Sequence, residues 1–283
     1  MVIEKAEFRD LESLTRIYSD SAEALGKDDI DWIRAVLKSN SKRIIAIVAK
    51  YNGAVVGFAI AYRNGKRAYI DSIAVDKNYR GMGIGKAILE YLEKIFLEKR
   101  VKLVFLSVKS WNVRALDFYL RNGYGVKSVV LILRANPSEI RAEQLDDYVI
   151  EVVEAGLVKW RRVKPTVQWC NLVDNVDMTI YRKLYKTEKA LITKKSGKTR
   201  AIAIYSINDD LTVDSIYLSS YNNDEDLVVL LNALKQIALH SRAKAVEIPV
   251  DATKKNLVRI LEECGFKVSE AEYLLYKDLS SSK

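Results

Sequence analysis

The chain repeats itself. Asp71-Ser72-Ile73 returns 143 residues later as Asp214-Ser215-Ile216, and the same offset sets Ile60-Ala61-Tyr62 against Ala203-Ile204-Tyr205. After a one-residue contraction, Val101-Lys102-Leu103-Val104 meets Ala243-Lys244-Ala245-Val246, and Gly123-Tyr124 meets Gly265-Phe266. Short identities arise by chance, but an ordered series at a nearly constant offset points to a duplicated fold. The length of 283 residues suits two domains rather than one. The joint is expected near Asn136-Pro137-Ser138, giving copies over 1–136 and 137–283, with 138–185 matching the first copy poorly.

Periodicity in the first copy predicts helices over Asp10–Leu25 and Asp29–Lys38. Strands follow over Ile44–Tyr51, Ala54–Tyr62 and Ala68–Val75, with Asn52-Gly53 and Asn64-Gly65 as turns. A glycine-rich loop then leads into a helix over Lys86–Lys99. Beyond it come a strand at Leu103–Lys109, a helix at Val113–Arg121 and a strand at Val126–Leu133. This order implies an α/β (α+β) fold with one mixed sheet and helices packed on it.

Arg80-Gly81-Met82-Gly83-Ile84-Gly85-Lys86 sits between a strand and a helix. Glycines let main-chain amides approach a phosphate without Cβ obstruction, and the helix start adds a favourable dipole. The loop is therefore an anion cradle, with an unliganded turn as the plainer alternative. It is neither a Walker loop nor a dinucleotide fingerprint, for G-x-G-x-G replaces both spacings. Ser196-Gly197-Lys198-Thr199 imitates the tail of a Walker loop, but Ile192 stands where its first glycine belongs.

Two motifs in order resemble the GNAT superfamily of acetyl-coenzyme A-dependent N-acetyltransferases. Arg80, Gly83 and Gly85 meet the family's R/Q-x-x-G-x-G/A. Asn112 to Tyr119, followed by Asn122-Gly123-Tyr124, looks like its N-x-x-A-x-x-x-Y and terminal G-[FY]. The resemblance covers roughly residues 1–134 and implies tandem GNAT-like folds, each a mixed, mostly antiparallel sheet flanked by helices.

It also implies roles. Amides of Arg80, Gly81, Met82, Gly83, Ile84, Gly85 and Lys86 would hold the pyrophosphate of acetyl-coenzyme A. The edge of Ile73, Ala74 and Val75 would pair with its pantetheine amides, with Asn112 beside that arm. Tyr119 matches the tyrosine that protonates the departing thiolate, a suitable task for a phenol near sulfur; a core aromatic is its plainer reading. The family's glutamate bases fall on Tyr69 or Ser107 here, and neither is a carboxylate. Asp71, two residues along the strand from Tyr69, is the remaining base candidate, or a structural carboxylate.

The reaction implied is direct attack of an amine on the thioester, the acceptor being a small molecule or a protein. A catalytically silent acyl-coenzyme A-binding regulatory module is the alternative. In the second copy Asn223-Asp224-Glu225-Asp226 replaces the cradle, Lys254 stands for Asn112 and Leu261 for Tyr119. Carboxylates there would repel phosphate, so this copy reads as degenerate. It is left to shape the acceptor site or an oligomer interface, such as that of a homodimer.

Composition closes other routes. Of the net +9, residues 1–142 carry all, with 25 basic against 16 acidic side chains; 143–283 hold 21 of each. The excess thus lies with the cradle. Arg161-Arg162-Val163-Lys164 is too short to make a nucleic-acid module, so nucleic acid is not expected as a partner. Apolar runs such as Ile44–Ala49 fall short of a membrane span, and Met1-Val2-Ile3-Glu4 does not begin a secretory leader. Cys170 and Cys264 suit a reducing, cytoplasmic compartment and read as small core residues. With His240 the single histidine, no metal is expected.

Overall fold

The computed structural model describes residues 1–25, 30–158, 166–167, 188–220 and 224–281. In chain order, β1 (Val2–Lys5) precedes α1 (Leu11–Ser19), α2 (Ala22–Leu25) and α3 (Ile30–Lys38). Next come β2 (Ile44–Tyr51), β3 (Ala54–Asn64), β4 (Arg67–Val75), α4 (Ile84–Glu98), β5 (Leu103–Lys109), α5 (Val113–Arg121) and β6 (Gly125–Ala135). The remainder holds β7 (Tyr148–Glu154), β8 (Lys189–Lys195), β9 (Lys198–Ile207), β10 (Thr212–Ser220), α6 (Asp224–His240), β11 (Ala245–Asp251), α7 (Lys255–Glu263) and β12 (Lys267–Asp278). The helix expected over Asp10–Leu25 is thus broken, because Asp20 caps α1 and the chain turns before α2.

Two compact units form, and they do not divide at Asn136. Unit 1 runs to Lys127 and takes back the chain from Tyr273 onward; unit 2 holds the described residues from Ser128 to Glu272. The last strand of each copy is therefore exchanged. In unit 1 the order is β1-β2-β3-β4-β5 and then the C-terminal part of β12. In unit 2 the part of β6 from Ser128 pairs antiparallel with β11, and β10, β9, β8 and β7 follow. Local periodicity sees a strand but not its partner, so this exchange was invisible in the sequence.

Unit 1 is built in three layers. α1 buries Leu14, Ile17 and Tyr18, and the Tyr18 ring stacks on Phe58 of β3 at 6.3 Å. On the opposite face α4 buries Ile84, Ile88, Leu89, Leu92 and Phe96 at helical spacing. Each such side chain contributes about 1.5–3 kcal/mol. Gly57 in β3 permits this approach: a Cβ there would lie 2.9 Å from Ile88 Cδ1. Unit 2 has its own core, where β9, β10 and β11 pack against α6 and α7 through Ala203, Val213, Val246, Leu230, Leu234 and Leu261.

Hydrogen-bond register corrects the repeat. The turn Asn52-Gly53 reappears as Ser196-Gly197, all four residues having positive φ. The β2–β3 register shift at Ala49/Lys50 reappears between β8 and β9 at Thr193/Lys194. Both fix the offset at 144, not 143. In β4 the offset is 145, since Tyr62 pairs Tyr69 while Ser206 pairs Asp214. Asp214 is thus the counterpart of Tyr69, and that of Asp71 is Ile216. Apolar strands resemble themselves when slid by a residue or two, whereas hydrogen bonds do not. From β5 to α5 the expected offset of 142 holds.

Candidate active site

β4 and β5 begin as parallel neighbours and then part. Arg67, Ala68 and Tyr69 pair with Leu103, Val104 and Phe105; beyond these, Ile70–Val75 and Leu106–Lys109 form no mutual ladder. A bulge in β4 accompanies the parting, for Ala61 pairs Ile70 while Ile60 pairs Ser72, leaving Asp71 as the extra residue. Simple alternation therefore fails at Asp71 and no longer places it on the face of Tyr69. Its carboxylate accepts a 2.8 Å hydrogen bond from Ser72 Oγ. Across the parting, the Ser107 hydroxyl is buried without a hydrogen-bond partner, which suits a ligand group lying between the strands.

The loop after β4 is held from below. Asp76 is buried, accepts from Asn78 N at 2.9 Å and pairs with Arg16 at 2.6 Å. These bonds, the backbone one first, hold its carboxyl below the usual range. Arg80, though exposed, folds back on the chain, donating to Val75 O at 3.0 Å and to Ser21 Oγ at 3.3 Å. Its side chain anchors the loop, and Lys86 lies 3.8 Å from Glu90. At Gly81 and Gly83 the loop offers bare main chain, between the exposed side chains of Met82 and Lys86.

Gly81 and Gly83 have φ of 84° and 77°, where a side chain is strained, and no atom lies within 4 Å of either Cβ position. Gly83 caps α4 with no side-chain hydrogen bond, and the first-turn amides of a helix have no intrahelical acceptor. The cradle therefore fits a phosphate group by conformation, access and dipole. Gly85 marks where the elements meet: a Cβ there would lie 3.8 Å from both Val75 and Phe118. The end of β4, the start of α4 and helix α5 thus converge at one point.

Asn112 caps α5 by accepting from Ala115 N at 3.1 Å, so its carbonyl has a structural task. Tyr119 is 6% exposed. Its ring packs edge-on against Phe118 and Tyr124 at 5.1 and 5.6 Å, and burial holds the phenol protonated far above neutral pH. Tyr119 shares one apolar cluster with Ile84, Ile88 and the partly buried Val75. The structure so brings together Ile73, Val75, the start of α4 and Tyr119, sets Asn112 apart at the start of α5, and leaves Asp71 in the bulge. Sequence reading missed the Arg16–Asp76 pair; Asp76-Lys77-Asn78 is legible as an Asx turn, but its distant arginine is not.

The matching elements of unit 2 differ in chemistry. Asp226 is wholly buried and accepts from Tyr148 OH at 2.5 Å, with Arg200 at 3.6 Å. Glu225 lies 3.2 Å from Lys195, and Asp224 bonds Asn256 and Arg259 at 2.8 and 2.7 Å. A cavity of about 640 Å³ opens beside them, lined by Leu218, Ser220, Asp224, Lys254, Asn256 and Ile260 among others. Lys254 begins α7 without a side-chain cap.

Other candidates stay apart. Cys264 is buried, which pushes its thiol up, and His240 ends α6. Cys170 and Arg161–Lys164 lie outside the described residues. Among the described residues, no group of three or more His, Cys, Asp or Glu could hold a metal, and no helix is long and apolar enough to cross a membrane.

The edge of β4, parted from β5, leads to the glycine loop, and comparison with known proteins bears on the same residues. Residues 6–124 match the Acetyltransferase (GNAT) family. Thialysine N-epsilon-acetyltransferase of Bos taurus is 27% identical over 125 residues, covering 42% of this chain and 71% of that protein. An uncharacterized N-acetyltransferase of Methanocaldococcus jannaschii is 38% identical over 78 residues, 27% of this chain and half of its own length. For the whole chain the likeness is one of fold. A tandem GNAT protein from the clavulanic acid biosynthesis pathway superposes with a TM-score of 0.72 at 11% identity, covering 98% of both chains. A GCN5-related N-acetyltransferase from Sphaerobacter thermophilus gives 0.69 at 14%, covering 98% of this chain and 95% of that one. Two GNAT-like folds in tandem are therefore the architecture of this protein.

Proposed function

We propose that the protein is an N-acetyltransferase that moves acetyl from acetyl-coenzyme A to a primary amine by direct attack. The observation that carries this reading is the convergence at Gly85, where an uncapped helix start, an unpaired strand edge and the helix of Tyr119 meet. The amides from Gly81 to Lys86 would hold the pyrophosphate, and Ile73–Val75 would bond the pantetheine amides as an added strand does. When bound, the coenzyme supplies an activated acetyl thioester.

Tyr119 holds its proton at the end of this cleft and donates it to the leaving sulfur. Ser107, its hydroxyl buried and unpartnered, would bond the ligand between the parted strands. Asp71, held in the bulge and accepting from Ser72 Oγ, would act as base only through water. Unit 1 is the competent copy; unit 2 keeps the fold and refuses the coenzyme because its own carboxylates stand where phosphate would. The relatives named for thialysine and for the alanine of ribosomal protein bS18 make small amines and peptide N-termini the first acceptors to try.

The test is release of free coenzyme A thiol from acetyl-coenzyme A against a panel of polyamines, lysine analogues and short peptides. Turnover with one acceptor class supports the reading. Tight coenzyme binding without turnover on any of them favours the silent binding module, and no binding refutes both.

A further inference from the structure

The domain that matches the GNAT family ends at residue 124, yet the surroundings of Tyr119 draw on the far end of the chain. Leu275 and Leu279, in and just after β12, are buried in the same apolar cluster as Tyr119 and Tyr124. Leu279 N donates to Lys102 O at 2.7 Å, docking this stretch within unit 1. Between the two leucines stands Lys277, whose Nζ donates to both carboxylate oxygens of Glu93 on α4, at 2.9 and 2.7 Å. Both side chains are largely withdrawn from water, at 19% and 15% exposed. The same ammonium lies 5.5 Å from the centre of the Tyr124 ring, and Tyr124 packs edge-on against Tyr119.

We infer that Lys277 is a positioning residue for Tyr119: by gripping Glu93 and covering Tyr124, it fixes the ring against which Tyr119 rests. This rests on the reading of Tyr119 as the proton donor. The physical case has three parts. A carboxylate this far from water is costly unless a cation satisfies it, so the pair is held closely. The two-oxygen grip sets where the ammonium stands, and the ammonium over the ring restrains Tyr124. Tyr124 N also donates to Tyr119 O at 3.1 Å, so the two residues move as one turn. An acid displaced by a fraction of an ångström loses much of its advantage in the transition state. The exchanged strand therefore completes the reaction centre as well as the sheet.

The experiment uses the full chain with Lys277→Met, Lys277→Arg and Glu93→Gln, the last keeping the side-chain shape. Tyrosines labelled with ¹³C at Cζ report the Tyr119 environment by NMR, without any turnover. Lys277→Met and Glu93→Gln are each expected to displace the Tyr119 resonance, and Lys277→Arg to return it close to wild type. In steady state Lys277→Met should lower kcat about tenfold or more with the acetyl-coenzyme A KM within about twofold, and Lys277→Arg should recover most of the loss. A Tyr119 resonance unmoved in both Lys277→Met and Glu93→Gln overturns the proposal, as does an unchanged kcat in an active enzyme. A displaced resonance in a protein that shows no acetyl transfer refutes the function reading and leaves the positioning intact.

Discussion

The starts of α4 and α6 are the same place built twice with opposite chemistry. α4 opens on Gly83 with left-handed backbone, no capping side chain and free space around the Cβ position. α6 opens on Asp224, Glu225 and Asp226, held by Arg259, Lys195, Tyr148 and Arg200. Both arrangements answer the same demand, for the first amides of any helix need an acceptor and favour negative charge. Unit 2 sets three carboxylates in the first turn, where their charge suits the dipole. Unit 1 leaves the demand for a ligand to meet. The fold around each is common: both parallel ladders stop after three pairs, and both middle strands carry a bulge just beyond. One architecture thus carries a glycine-rich helix start in one unit and an acidic one in the other.

The sharpest way to break this comparison is to close the open end. Gly83→Val puts a branched side chain at φ of 77° and should weaken acetyl-coenzyme A binding by about 100-fold or more, while strain costs about 1–2 kcal/mol of stability. Calorimetric titration checks the first effect and urea unfolding the second; undiminished affinity would refute the cradle. At the acidic end, Asp226→Ala removes the buried carboxylate shared by Tyr148 OH and Arg200, leaving Tyr148 OH to Glu225, and should destabilise by about 2–3 kcal/mol. If it unfolds at the wild-type urea concentration, the buried acid does not hold the start of α6 in place.

Tyr119→Phe should lower kcat by about tenfold to 100-fold with coenzyme affinity within about twofold, as measured by thiol release and direct titration. Equal kcat in the two proteins removes Tyr119 from catalysis. Asp76→Asn tests the base of the loop, at about 1 kcal/mol at neutral pH. Its carboxyl titrates lower when folded than when unfolded. Its stabilisation is therefore full above the unfolded value near 3.8 and fades as pH falls through the folded one. Urea midpoints at pH 7 and pH 3 should show wild type and variant converging in acid; a constant gap contradicts this. The smallest effect belongs to Arg121→Ala, which frees the exposed Asp117 and should cost under about 0.5 kcal/mol. The counterpart pair in α7, Arg259 before Glu263, has reversed polarity, so Glu263→Ala, which leaves Arg259 on Asp224, should cost no more.

The glycine loop could be read directly from the chain, because a run of glycines between strand and helix has few physical uses. The strands and helices flanking it were legible for a related reason: apolar periodicity acts within a window of a dozen residues. Ile44–Tyr51, Leu103–Lys109 and Val113–Arg121 have the bounds their periodicity predicted. The candidate site was legible as far as motifs carry chemistry, through Gly83, Gly85, Asn112 and Tyr119. Asn112 proved to be a helix cap and Arg80 an anchor bonded back to Val75 O. Spacing names a residue, but only neighbours say what its polar atoms already do.

The sequence by itself determined the duplicated α/β plan, the phosphate-ready loop and the contrast of charge between the two helix starts. These depend on residue type and local order. Tertiary structure alone decided the register of the repeat, the bulge that sets Asp71 apart, and the exchange that brings Lys277 beside Glu93, 184 positions away. Strand pairing is the reason. Hydrogen bonds between strands join residues of any separation, and side-chain alternation says which face a residue takes but not which strand lies next to it.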